Sequence, residues 1–140
     1  MTAARLDLVD ERAIEQSATY HLGYQRRLAD GVTPHPVPVD ARLRMQIRAT
    51  PDAPDPALID ITHAPGADGQ ILIGDAVIDG VTHANARLAI TLTASATGRL
   101  TMIKAWYDLF LDTPGATSEV DKLLRGSVSV ISAVTRPAHD

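Results

Sequence analysis

Histidine, carboxylate and serine side chains are the groups in this 140-residue chain that could do chemistry, but their spacing does not favour it. The histidines are His21, His35, His63, His83 and His139. No two of them are two to five residues apart, the spacing typical of metal-binding pairs. No serine lies in a Gly-x-Ser-x-Gly motif, and the chain has no cysteine. The sequence therefore predicts a protein that is not an enzyme and has no catalytic residues, cofactor or metal.

Acidic residues form two small groups that could be taken for a calcium site. One group is Asp75 with Asp79, and the other is Asp112 with Glu119 and Asp121. Calcium takes about six or more oxygen ligands, usually from one dense acidic loop. Neither group has that density, so both are interpreted as turn residues whose side-chain oxygens cap the backbone.

Charge and hydropathy narrow the class of partner. The formal net charge is −4, which argues against nucleic-acid binding because a nucleic-acid partner requires a basic face. No apolar run approaches the roughly 20 residues of a membrane-spanning helix. The hydrophobic share of 45% is ordinary for one globular domain, and the few aromatic residues predict an aliphatic core.

Most of the regular sequence patterns are typical of β-strands, so strands would have to position any functional site. The clearest is a terminal hairpin of two long strands, Thr101–Asp112 and Glu119–Val130, joined by a turn at Thr113–Ser118. Arg87–Thr93 also alternates between apolar and polar residues. By contrast, Gly74–Asn85 is predicted to be irregular, apart from a brief strand pairing at Ala76–Ile78.

Ala41–Arg48 shows the best alternation in the first half of the chain. Leu43, Met45 and Ile47 share one face, which predicts a strand with one side on a core. The other face holds Arg42, Arg44, Gln46 and Arg48. This row is interpreted as a solvated or salt-bridged surface, or as a docking stripe for an acidic partner.

Seven or eight short strands without intervening helices predict an all-β fold. The expected architecture is an antiparallel, immunoglobulin-like β-sandwich with an extended N-terminal arm. The arm is predicted over residues 1–13, the sandwich over 14–136 and a short tail over 137–140.

Trp106 and Phe110 are the strongest candidates for contact with another subunit. They share one face of a regular strand, and Tyr107 lies on the other face, so both faces are largely apolar. One face would cover the core, and the second would mark an interface with Trp106 as its anchor. The alternative is that Trp106 is an ordinary core residue. The candidate contacts in the arm are Leu6, Leu8, Val9 and Ile14.

A family resemblance rests on the order of these strands and on several short segments. The segments are Ala41–Arg48, Leu58–Thr62, Arg87–Leu92, Trp106–Leu109, Leu123–Val130 and Val134–Arg136. In these the chain resembles small tailed-bacteriophage virion proteins, and is similar to the immunoglobulin-like N-terminal domain of phage baseplate upper proteins. The resemblance implies a structural adaptor or anchor of the tail, baseplate or neck. It also implies assembly in the host cytoplasm, other virion proteins as partners, and a homo-oligomeric or ring arrangement.

Two alternatives remain open at this point. One is a capsid decoration protein, which would share the virion context. The other is a carbohydrate- or ligand-binding β-sandwich. The loops Pro51–Pro56 and Gly74–Asn85 contain no aromatic residue, which counts against a carbohydrate site.

Overall fold

The computed structural model describes residues 4–25, 36–37, 41–54, 56–113 and 119–132. Within these ranges the chain is mostly β, as predicted, and its strands form two sheets. The strands are β1 (Ala4–Arg5), β2 (Ile14–Glu15), β3 (Tyr20–Gln25), β4 (Arg42–Arg48), β5 (Ile59–Thr62), β6 (Gly69–Ile78), β7 (Val81–Leu92), β8 (Lys104–Thr113) and β9 (Glu119–Ile131). A 3-10 turn (Asp10–Arg12) and a short helix, α1 (Ala94–Gly98), complete the described elements.

The larger sheet has six strands, in the order β1-β9-β8-β4-β5, with β2 also paired to β9. The smaller sheet has three strands, in the order β3-β7-β6. Neighbouring strands are antiparallel, except that β1 and β2 both run parallel to β9. One hydrophobic core contains side chains from both sheets.

Alternation predicts burial correctly in the strands that have one face on the core. In β4, Leu43, Met45 and Ile47 are buried, while Arg42 and Arg44 are exposed. In β7, the core residues are Leu88, Ile90 and Leu92. A period of two places successive side chains on opposite faces of a strand, so this part of the core follows from local pattern alone.

The two strands of the predicted terminal hairpin are confirmed as β8 and β9, which pair from Lys104 opposite Ser129 to Thr113 opposite Glu119. The turn predicted between them lies, from residue 114 to 118, outside the described residues. A bulge interrupts the register of the two strands, because Leu109 pairs with Leu124 whereas Phe110 pairs with Lys122. Strict alternation along β9 predicts that Lys122 shares a face with Leu124, but the bulge places Lys122 on the opposite face. The extra residue at the bulge lets two consecutive leucines, Leu123 and Leu124, both be buried while Lys122 is exposed.

The brief pairing predicted at Ala76–Ile78 is confirmed, but the prediction that the rest of Gly74–Asn85 is irregular is wrong. These residues form the outer part of the β6–β7 hairpin, in which Ile78 pairs with Val81. The two residues between them, Asp79 and Gly80, have φ angles of 51° and 78°. Positive φ at both central residues is the signature of a type I′ turn, and Asp-Gly is one of its preferred sequences.

The N-terminal segment, residues 4–15, lies along the free edge of β9. The amides of Leu6 and Leu8 donate to the carbonyls of Arg125 (3.0 Å) and Ser127 (2.8 Å), and the Ser129 amide donates to the Leu8 carbonyl (2.9 Å). The segment predicted to be an extended arm is therefore docked on the sheet of its own chain, where it covers the edge of β9.

Two core tyrosines also hold this segment. The Tyr107 hydroxyl donates to the Leu6 carbonyl at 2.6 Å, and the Tyr20 hydroxyl donates to the Arg12 carbonyl at 2.7 Å. Burial raises the pKa of Tyr20 to about 12 and raises that of Tyr107 as well. Both hydroxyls therefore stay protonated at neutral pH and keep their donor role.

Candidate interaction surface

The outer face of the larger sheet, which points away from the core, carries the candidate site. β8 lies between β4 and β9, and its residues alternate between the two faces. Ala105, Tyr107, Leu109 and Leu111 are buried in the core. The intervening residues on the outer face are Lys104, Trp106, Asp108, Phe110 and Asp112. This alternation places Trp106 and Phe110 on one face, together with Asp108.

Cross-strand pairing gives each outward residue of β8 a defined set of neighbours. Trp106 lies between Arg48 of β4 and Ser127 of β9. Asp108 has Gln46 on one side and Arg125 on the other, in the next row along the strands. Phe110 follows, with Arg44 on one side and Lys122 on the other. The outer face is therefore an aromatic and acidic centre line bordered by cations.

Trp106 and Phe110 are both half-buried, and each has a lysine over its ring. The Lys104 ammonium lies 4.8 Å from the Trp106 ring centroid, and the Lys122 ammonium lies 5.6 Å from that of Phe110. Such cation–π contacts contribute about 0.5–1 kcal/mol at exposed sites. They reduce the apolar ring area that is exposed to solvent, but part of each ring stays exposed.

An ion pair between β4 and β5 stabilises one margin of this face. Arg44 donates through Nε to Asp60 Oδ1 at 2.9 Å and also pairs through Nη2 with Asp60 Oδ2. This guanidinium, and a further hydrogen bond from Gln46, hold the pKa of Asp60 below its usual value despite partial burial. Arg44 thus belongs to a salt-bridged surface, one of the interpretations open for this row.

Two concave regions flank the aromatic residues. A cleft of about 260 Å³ lies beside Trp106, and its charged lining residues are Arg5, Arg48, Asp108, Lys122 and Arg125. A second, more open groove of about 480 Å³ lies beside Phe110, between Arg42 and His63. We call the first region the cationic cleft. Pattern analysis alone missed it, because Arg5, Lys122 and Arg125 reach the cleft only through the β1–β9 and β8–β9 pairings.

The predicted contact residues of the N-terminal segment are in different environments. Leu8 and Ile14 are fully buried in the core of their own chain, so in this conformation they present no surface to a second subunit. Leu6 and Val9 are half-buried, and Leu6 packs against the core. The interior glycine of β9, Gly126, is the sequence signal that could have indicated this docking, since a glycine inside a strand often marks close approach of another backbone.

Asp7 fixes the segment to β9 through its side chain. Its carboxylate accepts a hydrogen bond from the Ser127 amide at 2.9 Å and one from the Ser127 hydroxyl at 3.2 Å. The hydrogen bond from the Ser127 backbone N–H and another from the Arg5 side chain lower the pKa of Asp7. Ser127 is consequently buried although it lies on the outward side of β9.

The acidic and histidine residues considered for metal binding do not converge where the structure describes their side chains. Among the described residues, no three histidine or carboxylate side chains lie close enough together to hold a metal ion. Asp75 accepts a hydrogen bond from the Asn85 amide at 3.1 Å, which confirms that its side chain caps the backbone, but it lies at the bulge of β6 and not in a turn. His35, His139 and the predicted tail at 137–140 lie outside the described residues.

Comparison with known proteins adds no relative. No protein-family model matches the sequence, and no curated protein is significantly similar to it. Within the described part of the chain, no helix is long and apolar enough to cross a membrane.

Proposed function

We propose that this protein is a non-enzymatic structural module of a tailed-phage virion, an adaptor or anchor that acts by docking to neighbouring subunits. The observation that carries this proposal is the outer face of the larger sheet. Trp106 and Phe110 keep part of their ring surface accessible on a broad, ordered β surface with a charged border. Aromatic side chains with a polar rim are typical of protein–protein interfaces.

The order of the strands supports an immunoglobulin-like sandwich as the scaffold. In that fold one sheet contains strands B, E and D, and the other contains G, F, C and, in variable-type domains, C′. The smaller sheet here, β3-β7-β6, has the chain order of B-E-D. The larger sheet, β9-β8-β4-β5, has the order of G-F-C-C′, with the N-terminal segment added beside β9.

This scaffold supports assembly because it leaves one large face available. The N-terminal segment already covers the edge of β9. Contacts with other subunits are therefore proposed to involve the outer face, with Trp106 and Phe110 as anchors. Identical subunits that pair this face with itself form a two-fold dimer, and subunits that dock it on a different patch of a neighbour form a ring in a symmetric particle.

The test is incorporation into particles released by the strain that encodes this chain. We expect mass spectrometry of purified particles to detect the protein, and expect the double variant W106A/F110A to be incorporated at a small fraction of the wild-type level. Val77→Ala is the matched control, because Val77 is an apolar residue that is 70% exposed on the smaller sheet. Circular dichroism would verify that each variant is folded.

Either of two results would reject the proposal. The first is that purified particles lack the wild-type protein. The second is that folded W106A/F110A is incorporated as well as Val77→Ala.

A further inference from the structure

The cationic cleft has a charge opposite to that of the chain as a whole. The chain has a formal net charge of −4, but the cleft is lined by four cations and one carboxylate. The cations come from three strands that are distant in sequence: Arg5 from β1, Arg48 from β4, and Lys122 and Arg125 from β9. Only the folded sheet brings these charges together.

Existing contacts engage three of the four cations and leave the fourth, Arg125, available. Arg5 is paired with Asp7 at 3.2 Å. Arg48 donates to the Ala53 carbonyl and to Gln46 Oε1, both at 3.1 Å, which fixes its guanidinium beside Trp106. Lys122 is 3.8 Å from Asp108, a long contact for an ion pair. Arg125 is exposed and has no ion-pair partner among the residues that the structure describes. It is the cation most able to accept a new carboxylate partner.

The lining groups of the cleft that are not cations suit a peptide. Trp106 supplies an aromatic wall, and Asp108 supplies an acceptor within the same cleft. A peptide can donate a backbone N–H to Asp108 while its own carboxylates bind the surrounding cations. A sulfated or phosphorylated polymer would place additional anions against Asp108, which costs energy in a partly desolvated site.

We infer that the cationic cleft binds an extended, acidic segment of a protein partner. Guanidinium groups match carboxylates in planar, two-point hydrogen bonds, which favours Arg48 and Arg125 as the recognition groups. Their strands flank β8 on opposite sides, about 10 Å apart across the sheet, and the two residues are one row apart along it, so their backbones are about 12 Å apart. In a polyproline II peptide, side chains at positions i and i+3 lie on one side and are about 9 Å apart. The inference rests on the proposed function only in taking the partner to be another structural protein.

The test uses a blocked peptide with the repeat Glu-Pro-Pro, which places glutamates at i, i+3 and i+6. Trp106 is the only tryptophan of the chain, so its fluorescence reports directly on the cleft. We expect a saturable change in this fluorescence that weakens as salt concentration rises. Arg125→Gln and Arg48→Gln should each weaken binding about tenfold, the size expected when a charged hydrogen bond is lost.

Two controls make the test specific. Arg87→Gln removes the same charge from an exposed position on β7 of the smaller sheet and should leave the affinity unchanged. A peptide with glutamine in place of each glutamate should not bind. Far-ultraviolet circular dichroism would establish that the variants retain the wild-type fold.

Three outcomes would overturn the inference: no response of Trp106 to the glutamate peptide, equal binding of the glutamine peptide, or unchanged affinity in Arg125→Gln. Binding of a sulfated oligosaccharide without binding of the peptide would also reject it and assign the cleft to an anionic glycan. Because the titration uses the isolated protein, its result is independent of whether the chain enters particles.

Discussion

Gly126 is the residue whose identity depends most directly on the docked N-terminal segment. It lies inside β9 opposite Tyr107, on the side of the strand that faces the core. A Cβ atom at this position would be 2.3 Å from the Leu6 carbonyl oxygen and 2.8 Å from its carbon. The Leu6 carbonyl is also the acceptor of the Tyr107 hydroxyl, so it cannot move without breaking that hydrogen bond.

Gly126→Ala is therefore expected to destabilise the protein by about 1–3 kcal/mol, the usual cost of overpacking a core site. The measurement is urea denaturation, supported by faster hydrogen exchange at the Ser129 amide, which donates to Leu8. Gly74→Ala is the matched control, because nothing lies within 4 Å of a Cβ there, and its effect should be within about 0.5 kcal/mol. Equal stability of the two variants would contradict this account of Gly126.

Asp60 makes a pH-dependent contribution to stability through its pairing with Arg44. Because folding lowers the pKa of Asp60, this contribution is fully present above the unfolded-state value of 3.8. It is lost as pH falls through the lower value of the folded state. The Asp60 side chain is 35% exposed, so solvent screening limits the pair to about 1 kcal/mol or less.

We expect Asp60→Asn to be less stable than the wild type at pH 7 and equally stable near pH 2, where both carry a neutral side chain. Urea midpoints measured across this pH range would give the difference in unfolding free energy. Asp52→Asn, at an exposed position in the loop after β4, should match the wild type throughout. A difference between Asp60→Asn and the wild type that does not change with pH would reject the ion pair as its source.

At the scale of elements, the two turn residues of the β6–β7 hairpin allow its strands to remain paired up to the turn itself. Asp79 and Gly80 both have positive φ, and their turn joins two strands that pair from Gly69 opposite Leu92 to Ile78 opposite Val81. The Asp-Gly dipeptide was the local signal for this hairpin. The polar and small residues around it, with a bulge between Gly74 and Ala76, weaken the alternation that would have indicated strands.

Gly80→Ala should destabilise the hairpin by about 1 kcal/mol, because an L-residue with a side chain is strained at a φ of 78°. Asp79→Asn should have little effect, since asparagine is well tolerated at positive φ in this turn type. Amide hydrogen exchange of Ile78 and Val81, together with thermal midpoints, would measure both changes. Loss of stability in Asp79→Asn but not in Gly80→Ala would refute the turn assignment.

At the scale of the whole molecule, the N-terminal segment completes the larger sheet and part of the core. Leu8 is fully buried, whereas its neighbour Val9 is half-buried. Two tyrosine hydroxyls and the backbone of β9 bind this segment, and its own Asp7 carboxylate accepts a hydrogen bond from Ser127 of β9. Such a segment contributes to global stability in a way that a free arm would not.

Leu8→Ala is expected to cost about 2–5 kcal/mol, as for other fully buried leucines. Val9→Ala should cost less than about 1 kcal/mol, because Val9 retains contact with solvent. Chemical denaturation of both variants would measure the contrast. Equal and small effects would show that the segment leaves β9 in solution and behaves as a free arm.

The sequence by itself determined the all-β class, the terminal hairpin and the buried faces of β4 and β7, whereas both faces of β8 are apolar enough that only the structure decided which one is buried. These features follow from a period of two, which is set by residues that are adjacent in the chain. It also placed Trp106 and Phe110 on one face of a strand, since that requires only the alternation of β8.

Tertiary structure alone decided where the N-terminal segment lies, how the bulge turns Lys122 outward, and which cations form the cleft. Arg5, Arg48 and Arg125 are brought to one place by strand pairings that join distant parts of the chain. Local pattern carries no information about such pairings. They depend on which strand edges remain unpaired and on whether a site such as Gly126 leaves room for a second backbone.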